Sequence, residues 1–280
     1  MKTITFINEK GGVGKTAICF NLAWYLSKAK KILLIDLDGQ RANLTYFTGI
    51  KKTDELLTMY EVLKGITPIS SAIQGIRRYI DIVPASVTTS FIDTDIEVKD
   101  MKRAIDEVKD RYDYIFIDVS PSPNWSQFLA LSVSDYCIIP MLPDVTSLEA
   151  DEGMIETIEE VHKQNTDLKV LGLLINRNEN RTNLSRQVKE TAQVIAKRLN
   201  TEIFDTKIRN SVAVSEAVYY HIGITEYAKK LAVAEDYRQL AKEIERRIRR
   251  DERPAVTKDY KQLIREIREI ERRIEEDGKK

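Results

Sequence analysis

Apolar runs alternate along this chain with segments in which apolar positions recur at helical spacing. The runs fall at 3–8 (TITFIN), 31–38 (KILLIDLD), 79–85 (YIDIVPA), 112–120 (YDYIFIDVS), 135–142 (DYCIIPML), 169–177 (KVLGLLINR) and 202–208 (EIFDTKI). Their length and their β-branched and aromatic content predict strands. Helical spacing predicts helices over 16–29, 99–110, 148–163, 185–199 and 234–250. Nearly continuous apolar strands must be covered on both faces. The pattern therefore predicts a three-layer α/β sandwich, a twisted and mostly parallel sheet with helices on either side. Ligands of such a sheet lie at the carboxyl ends of its strands.

The pattern changes near 249–256 (RRDERPAV), where Pro254 stops the preceding helix. Beyond it, Tyr260, Leu263, Ile267, Ile270 and Ile274 form a heptad seam on a charged helix over 258–277. Such a seam either pairs as a short coiled coil or packs as a stripe on the domain. The expected organisation is a domain over 1–250 and a C-terminal charged helix over 251–280.

Composition narrows the picture little. The 280 residues suffice for one large domain or two small ones, and 42% hydrophobic content supplies a core. Lys and Arg number 44 against 44 Asp and Glu, so only local clustering could mark a nucleic-acid surface. Cys19 and Cys137 lack metal-ligand spacing and sit in apolar runs, as buried reduced thiols do. No stretch of 18 apolar residues is present, and the opening MKTITFINEK lacks the apolar run of a leader. A cytoplasmic chain is the expectation.

The chemistry concentrates between the first strand and helix. Asn8–Ala17 reads NEKGGVGKTA. Gly14, Lys15 and Thr16 match the end of the phosphate-loop pattern G-x-x-x-x-G-K-[ST], while Glu9 stands at its first glycine. Backbone N–H groups of Gly11, Gly12, Val13 and Gly14 can turn onto phosphate oxygens, and the following helix offers its N-terminus. Lys15 can reach the β- and γ-phosphates, the Thr16 hydroxyl suits Mg²⁺, and Ala17 follows at the phosphates. Lys10 precedes the glycines and points away from the phosphates of its own loop. Asp36 and Asp38 lie two apart at the end of the second strand, on one face of it. Asp118 ends another apolar strand. Acids at strand ends beside a phosphate loop are candidates for metal or water chemistry. His162 and His221 lie far apart in helix-like segments and form no cluster with the cysteines.

The run Lys10-Gly11-Gly12-Val13-Gly14-Lys15-Thr16 resembles the deviant Walker A loop of the ParA/MinD/nitrogenase-iron-protein class of P-loop NTPases. In that class two subunits sandwich two nucleotides, and the early lysine contacts the partner's phosphates. By that resemblance Lys10, Lys15 and Asp38 are catalytic, with ATP and Mg²⁺ as cofactors. LLIDLDGQRANLT is similar to the Asp-x-Asp-Pro-Gln-Gly-Asn motif of ParA-type ATPases, with Gly39 in place of proline and one extra residue before Asn43. The resemblance implies that Asp38 orients the attacking water. Asp36 is then structural or assists the metal, although either acid could be the key one. YIFIDVSPS resembles a Walker B strand, which makes Asp118 a Mg²⁺ ligand through water, alongside Thr16 and Asp38. Ala17 stands where the family usually has a second Thr against the α-phosphate. The segment 173–188 resembles the family's stretch after the strand that meets adenine, which places Asn176 and Arg177 by the base. The stretches 204–217 and 223–244 resemble the family's C-terminal motifs, and the likeness runs from 1 to about 250.

The ParA branch implies a slow ATPase that dimerises on ATP, coats nonspecific DNA on the nucleoid and segregates plasmid or chromosomal DNA. A centromere-binding adaptor of the ParB type stimulates hydrolysis. No helix-turn-helix segment precedes the loop, so the expected DNA surface lies on the ATPase domain. Its candidates are Arg186, Lys189, Lys207, Arg209, Lys229, Lys230, Arg246, Arg247, Arg249 and Arg250, which could equally be solvated helix faces. A MinD-like membrane-associated ATPase is the alternative. The tail speaks against it, because it has no Trp or Phe and as much acid as base.

Overall fold

The strands at the centre of the sheet are buried along nearly their whole length, which is why the apolar runs carry no polar alternation. In chain order the elements are β1 (Lys2–Phe6), α1 (Lys15–Leu26), β2 (Ile32–Asp36), α2 (Asn43–Phe47), α3 (Met59–Leu63), α4 (Ile69–Ala72), β3 (Gln74–Arg77) and β4 (Ile80–Val83). They continue with α5 (Val98–Val108), β5 (Tyr114–Asp118), α6 (Trp125–Ser132), β6 (Tyr136–Met141), α7 (Leu148–His162), β7 (Lys169–Ile175), α8 (Arg186–Arg198), α9 (Val212–Tyr219), α10 (Ile224–Tyr227) and α11 (Ala232–Asp251). This computed structural model describes residues 1–51, 53, 55–143, 148–178 and 186–252, with backbone only at 148–151, 186, 187 and 189.

The described strands form one seven-stranded sheet in the order β3-β4-β2-β5-β1-β6-β7. All neighbours pair in parallel except the edge pair β3 and β4. Side chains alternate across a strand. Leu33 and Ile35 of β2, Ile117 of β5, Ile139 of β6 and Ile175 of β7 join the large core cluster with α3 to α8. Ile4, Phe6, Leu34 and Phe116 are buried outside that cluster, where α1 packs on β1, β2 and β5. Helices thus cover both faces, as the patterning predicts. Residues 1–243 form one compact unit, and 244–280 form a second whose described part, to 252, is the end of α11. The heptad seam expected over 258–277 lies outside the described residues.

One expected strand needs correction, and one strand escapes the sequence pattern. The segment 202–208 is not a strand. Only Ile203 and Arg209 make isolated bridges, to Leu173 and Asn178. Phe204 and Ile208 still donate to β7 carbonyls, but the amides between them are taken elsewhere: the Asp205 and Thr206 N–H groups donate to the Glu243 carboxylate at 3.0 and 2.9 Å. The antiparallel edge strand β3 is also absent from the sequence reading. Its four residues, half of them exposed, carry too little apolar signal.

β1 lies between β5 and β6, with β2 beyond β5. The carboxyl ends of β1, β2 and β5 are therefore brought together, with Phe6 in register with Asp118 and Asp118 with Asp36.

Candidate nucleotide site at the carboxyl ends of the central strands

The loop from Ile7 to Gly14 joins β1 to α1. Its polarity of attachment is set by Asn8, which is buried. The Asn8 amide donates to the Pro140 carbonyl of β6 at 2.9 Å and accepts the Lys10 N–H at 2.7 Å. Gly12 and Gly14 adopt left-handed backbone, φ 78° and 97°, which L side chains disfavour. At Gly14 a Cβ would also stand 2.2 Å from the Asn176 amide nitrogen. Gly14 caps α1, and no acidic residue occupies the first turn, so the helix N-terminus is left to an anionic ligand. Lys15 is buried and folds back to donate to the Asn8 carbonyl at 2.7 Å. Desolvation lowers its pKa, while Asp118 and Asp38 oppose the shift.

Three carboxylates are buried at these strand ends, and their partners distinguish them. The Thr16 hydroxyl donates to Asp118 Oδ2 at 2.7 Å. The other oxygen, Oδ1, is buried with no partner. Burial, then the neighbouring Asp36, raises the Asp118 pKa. Asp36 has both oxygens engaged. Oδ1 accepts the Asp38 N–H at 3.0 Å, and Oδ2 accepts the Thr45 N–H and hydroxyl, both at 2.8 Å. Burial still raises it to about 6. Thr45 in turn accepts the Ala85 N–H at 2.8 Å, so Asp36 fastens the 37–45 loop to the end of β4. Asp38 is buried at the loop's start and accepts the Arg41 N–H at 3.2 Å. Gly39, where the resembling motif has proline, lies against Thr89 and Ser90. An added Cβ would be 2.2 Å from the Ser90 amide nitrogen.

Beside the loop opens a cavity of about 500 Å³ lined by Ala17, Phe47, Asn176, Arg177, Ser215 and Tyr237, among others. It suits a purine nucleoside whose phosphates lie on the loop. The Asn176 amide donates to the Val13 carbonyl at 2.7 Å, so Asn176 braces the loop itself. Arg177 is exposed at the rim in left-handed backbone, φ 53°.

The basic candidates divide. Lys207, Lys229, Lys230, Arg246, Arg249 and Arg250 are exposed. Arg209 is a correction: it makes a bidentate pair with Asp236 at 2.6 and 2.7 Å and lines the cavity, which commits it to the fold. Arg247 is a second correction, being only 6% exposed. The side chains of Arg186 and Lys189 lie outside the described residues. Several site residues escape sequence reasoning. Asn8 was readable as a turn-forming Asn at a strand end. Thr45, Phe47 and Ser215 carry no signal before the fold brings them in.

Residues 1–170 match the family model described as an AAA domain. The chain is 34% identical over 252 residues to the sporulation initiation inhibitor protein Soj of Bacillus subtilis, spanning 87% of this chain and 98% of Soj. The chain belongs to the ParA/Soj family of P-loop ATPases. The chromosome partitioning protein ParA of Caulobacter vibrioides is 29% identical over 87% of this chain and 94% of its own. In fold, the apo McdA structure from Cyanothece superposes with a TM-score of 0.77 at 21% identity, covering 87% of this chain and 99% of McdA. The protein is therefore an ATPase, with ATP and Mg²⁺ as its cofactors. The donor set fits the ion: a threonine hydroxyl and a buried carboxylate with one unpartnered oxygen are hard oxygen donors, the kind Mg²⁺ takes together with phosphates and water. Among the described residues no helix is long and apolar enough to cross a membrane.

Proposed function

We propose that this ATPase partitions DNA. On binding ATP it closes into a sandwich dimer, binds nonspecific DNA and segregates a plasmid or chromosome in the cytoplasm, on the nucleoid. A centromere-binding adaptor of the ParB type stimulates its hydrolysis. The observation that carries this reading is the arrangement of two lysines on one loop. Lys15 is buried among Asp38 and Asp118 at its own phosphate site. Lys10 stands before the glycines, with its N–H held by Asn8. One site then has a lysine of its own and lacks the second, which the partner's Lys10 supplies. The Soj and ParA relatives, matched over nearly their whole length, support the partition role.

Roles follow from the partners each group already has. Thr16 and Asp118 hold the Mg²⁺, whose charge offsets that of the β- and γ-phosphates. Lys15 and the partner's equivalent of Lys10 stabilise charge on the transferred phosphoryl group. Asp36 has no oxygen to spare. Asp38 is therefore the acid that orients the attacking water. The N–H groups of Gly11 to Gly14 cradle phosphates, with Ala17 beside them, and Asn176 and Arg177 lie at the base. Exposed Lys207, Lys229, Lys230, Arg246, Arg249 and Arg250 are the DNA contacts we carry forward, together with Arg186 and Lys189.

The test is DNA binding by wild type and Lys10→Ala with ATP, with ADP and without nucleotide, over a salt series. The reading requires binding with ATP alone, lost in Lys10→Ala. Binding indifferent to nucleotide would sink it.

A further inference from the structure

The general phosphate loop has glycine where this chain has Glu9, and the structure shows where that side chain goes. It turns away from the phosphate site toward α7. The Thr157 hydroxyl donates to Glu9 Oε1 at 3.4 Å. On the same face, Gly153 leaves open the volume that the carboxylate fills. A Cβ at Gly153 would stand 2.5 Å from Glu9 Oε2. Burial raises the Glu9 pKa, Thr157 opposes the shift and Glu156 adds to it. A carboxylate desolvated beside another acid is held there by packing and hydrogen bonding, and charge attraction is not what holds it.

Glu9 sits between two other fixed points. Before it, Ile7 donates its N–H to the Ile138 carbonyl of β6 at 3.1 Å, and Asn8 holds Pro140. After it, the Lys10 N–H is bound by Asn8. Beyond Lys10 come Gly11 and Gly12, both exposed, the second in left-handed backbone. Glycines do not hold a direction. The backbone direction at Lys10 is therefore set on its N-terminal side.

We propose that Glu9 is a positioning residue: wedged into the space left by Gly153 of α7, it fixes the pose from which Lys10 reaches the partner's nucleotide. The proposal rests on the sandwich-dimer reading of Lys10. The Glu9 carboxylate lies against α7, so it acts only through its neighbour. Gly153 is the second half of the device, because a methyl group there displaces the flexible end of Glu9.

The experiment measures two quantities for wild type, Lys10→Ala, Glu9→Ala, Glu9→Gln and Gly153→Ala: affinity of the monomer for a fluorescent ATP analogue, and dimerisation by sedimentation velocity with AMPPNP and Mg²⁺. Misplacing a reaching group by about an ångström costs on the order of tenfold or more. Glu9→Ala and Gly153→Ala should each weaken dimerisation roughly tenfold and leave monomer affinity within about twofold. Glu9→Gln keeps the length and an acceptor oxygen and should dimerise like wild type. Gly153→Ala places alanine inside a helix, where it favours folding, so its defect cannot be laid to unfolding. Wild-type dimerisation by Glu9→Ala and Gly153→Ala, with Lys10→Ala defective, overturns the proposal and leaves the dimer reading intact. An equal fall in monomer affinity overturns it too, because Glu9 would then serve its own loop's phosphates. A Glu9→Gln variant as weak as Glu9→Ala overturns the packing argument. If Lys10→Ala dimerises normally, the sandwich-dimer reading itself fails.

Discussion

Single side chains in this site are distinguished by what remains of their hydrogen-bonding capacity. Asp36, Asp38 and Asp118 are all buried acids at strand ends, yet only Asp36 has both oxygens engaged by the protein. Asp38→Asn should bind ATP within about twofold of wild type and lose roughly a hundredfold or more in turnover, since a positioned acid–base group contributes that much. Full turnover in that variant would return the role to another group. Asp118 offers a test in pH. Its pKa is raised by burial, and that of Asp36 stands at about 6. An acid raised above its unfolded value of about 4 favours folding when protonated. That contribution is complete below the unfolded value and is lost as pH rises through the folded one. The nucleotide-free protein thus loses stability from Asp36 between about pH 4 and 6, and Asp118 adds a loss of the same sign. Asp118→Asn keeps an acceptor for Thr16 and removes the buried charge. Its nucleotide-free thermal midpoint should rise by about 3 °C near pH 7.5, with a smaller gain near pH 5. A gain that is larger at the acid end would contradict the assignment.

At the scale of elements, the loop after β2 shows how a departure from a family motif is accommodated. The extra residue before Asn43 leaves Ala42 in left-handed backbone, φ 47°, as the residue before α2. The loop is pressed so closely on Ser90 that nothing larger than glycine fits at 39. Restoring the family's proline, or placing alanine there, forces backbone apart. Gly39→Ala should cost about 2 kcal/mol of stability in denaturant unfolding and lower turnover by moving Asp38. An unchanged midpoint would show that the contact with Ser90 yields easily. The segment at 202–208 teaches the opposite lesson. Ile203, Phe204 and Ile208 gave it the composition of a strand, but a carboxylate from α11 claimed the Asp205 and Thr206 amides in its middle. Local propensity cannot register a partner 37 residues away.

For the whole molecule the prediction concerns charge and assembly. Net charge is zero, so the proposed DNA binding depends on where exposed cations gather after folding. Lys229 and Lys230 are exposed together in the turn that follows α10. Replacing both with glutamate should weaken ATP-dependent DNA binding at least tenfold at low salt and flatten its salt dependence, since each phosphate contact contributes a slope of about 0.9. Gel-shift titrations across salt would check it, and an unchanged slope would move the surface elsewhere. Deleting the chain from Arg253 onward should leave ATP binding intact and change sedimentation or adaptor binding. If both are unchanged, the tail has no part in assembly.

The sequence by itself determined the layered parallel fold, the phosphate loop and the acids at the strand ends. These are legible because they are local: a strand buried on both faces must be apolar throughout, and a phosphate cradle needs glycines beside a helix start. Its charge pattern could not separate Asp36 from Asp38, which carry the same charge at the same strand end, and only the motif's resemblance favoured Asp38. Only the tertiary structure decided that Thr45 and the Asp38 amide consume one of them. Nor could it tell a solvated arginine from Arg209, whose guanidinium is spent on Asp236 across 27 residues of chain. The fate of Glu9 was likewise set by a gap on α7, since a residue's partners depend on what the fold brings beside it and not on its neighbours in sequence.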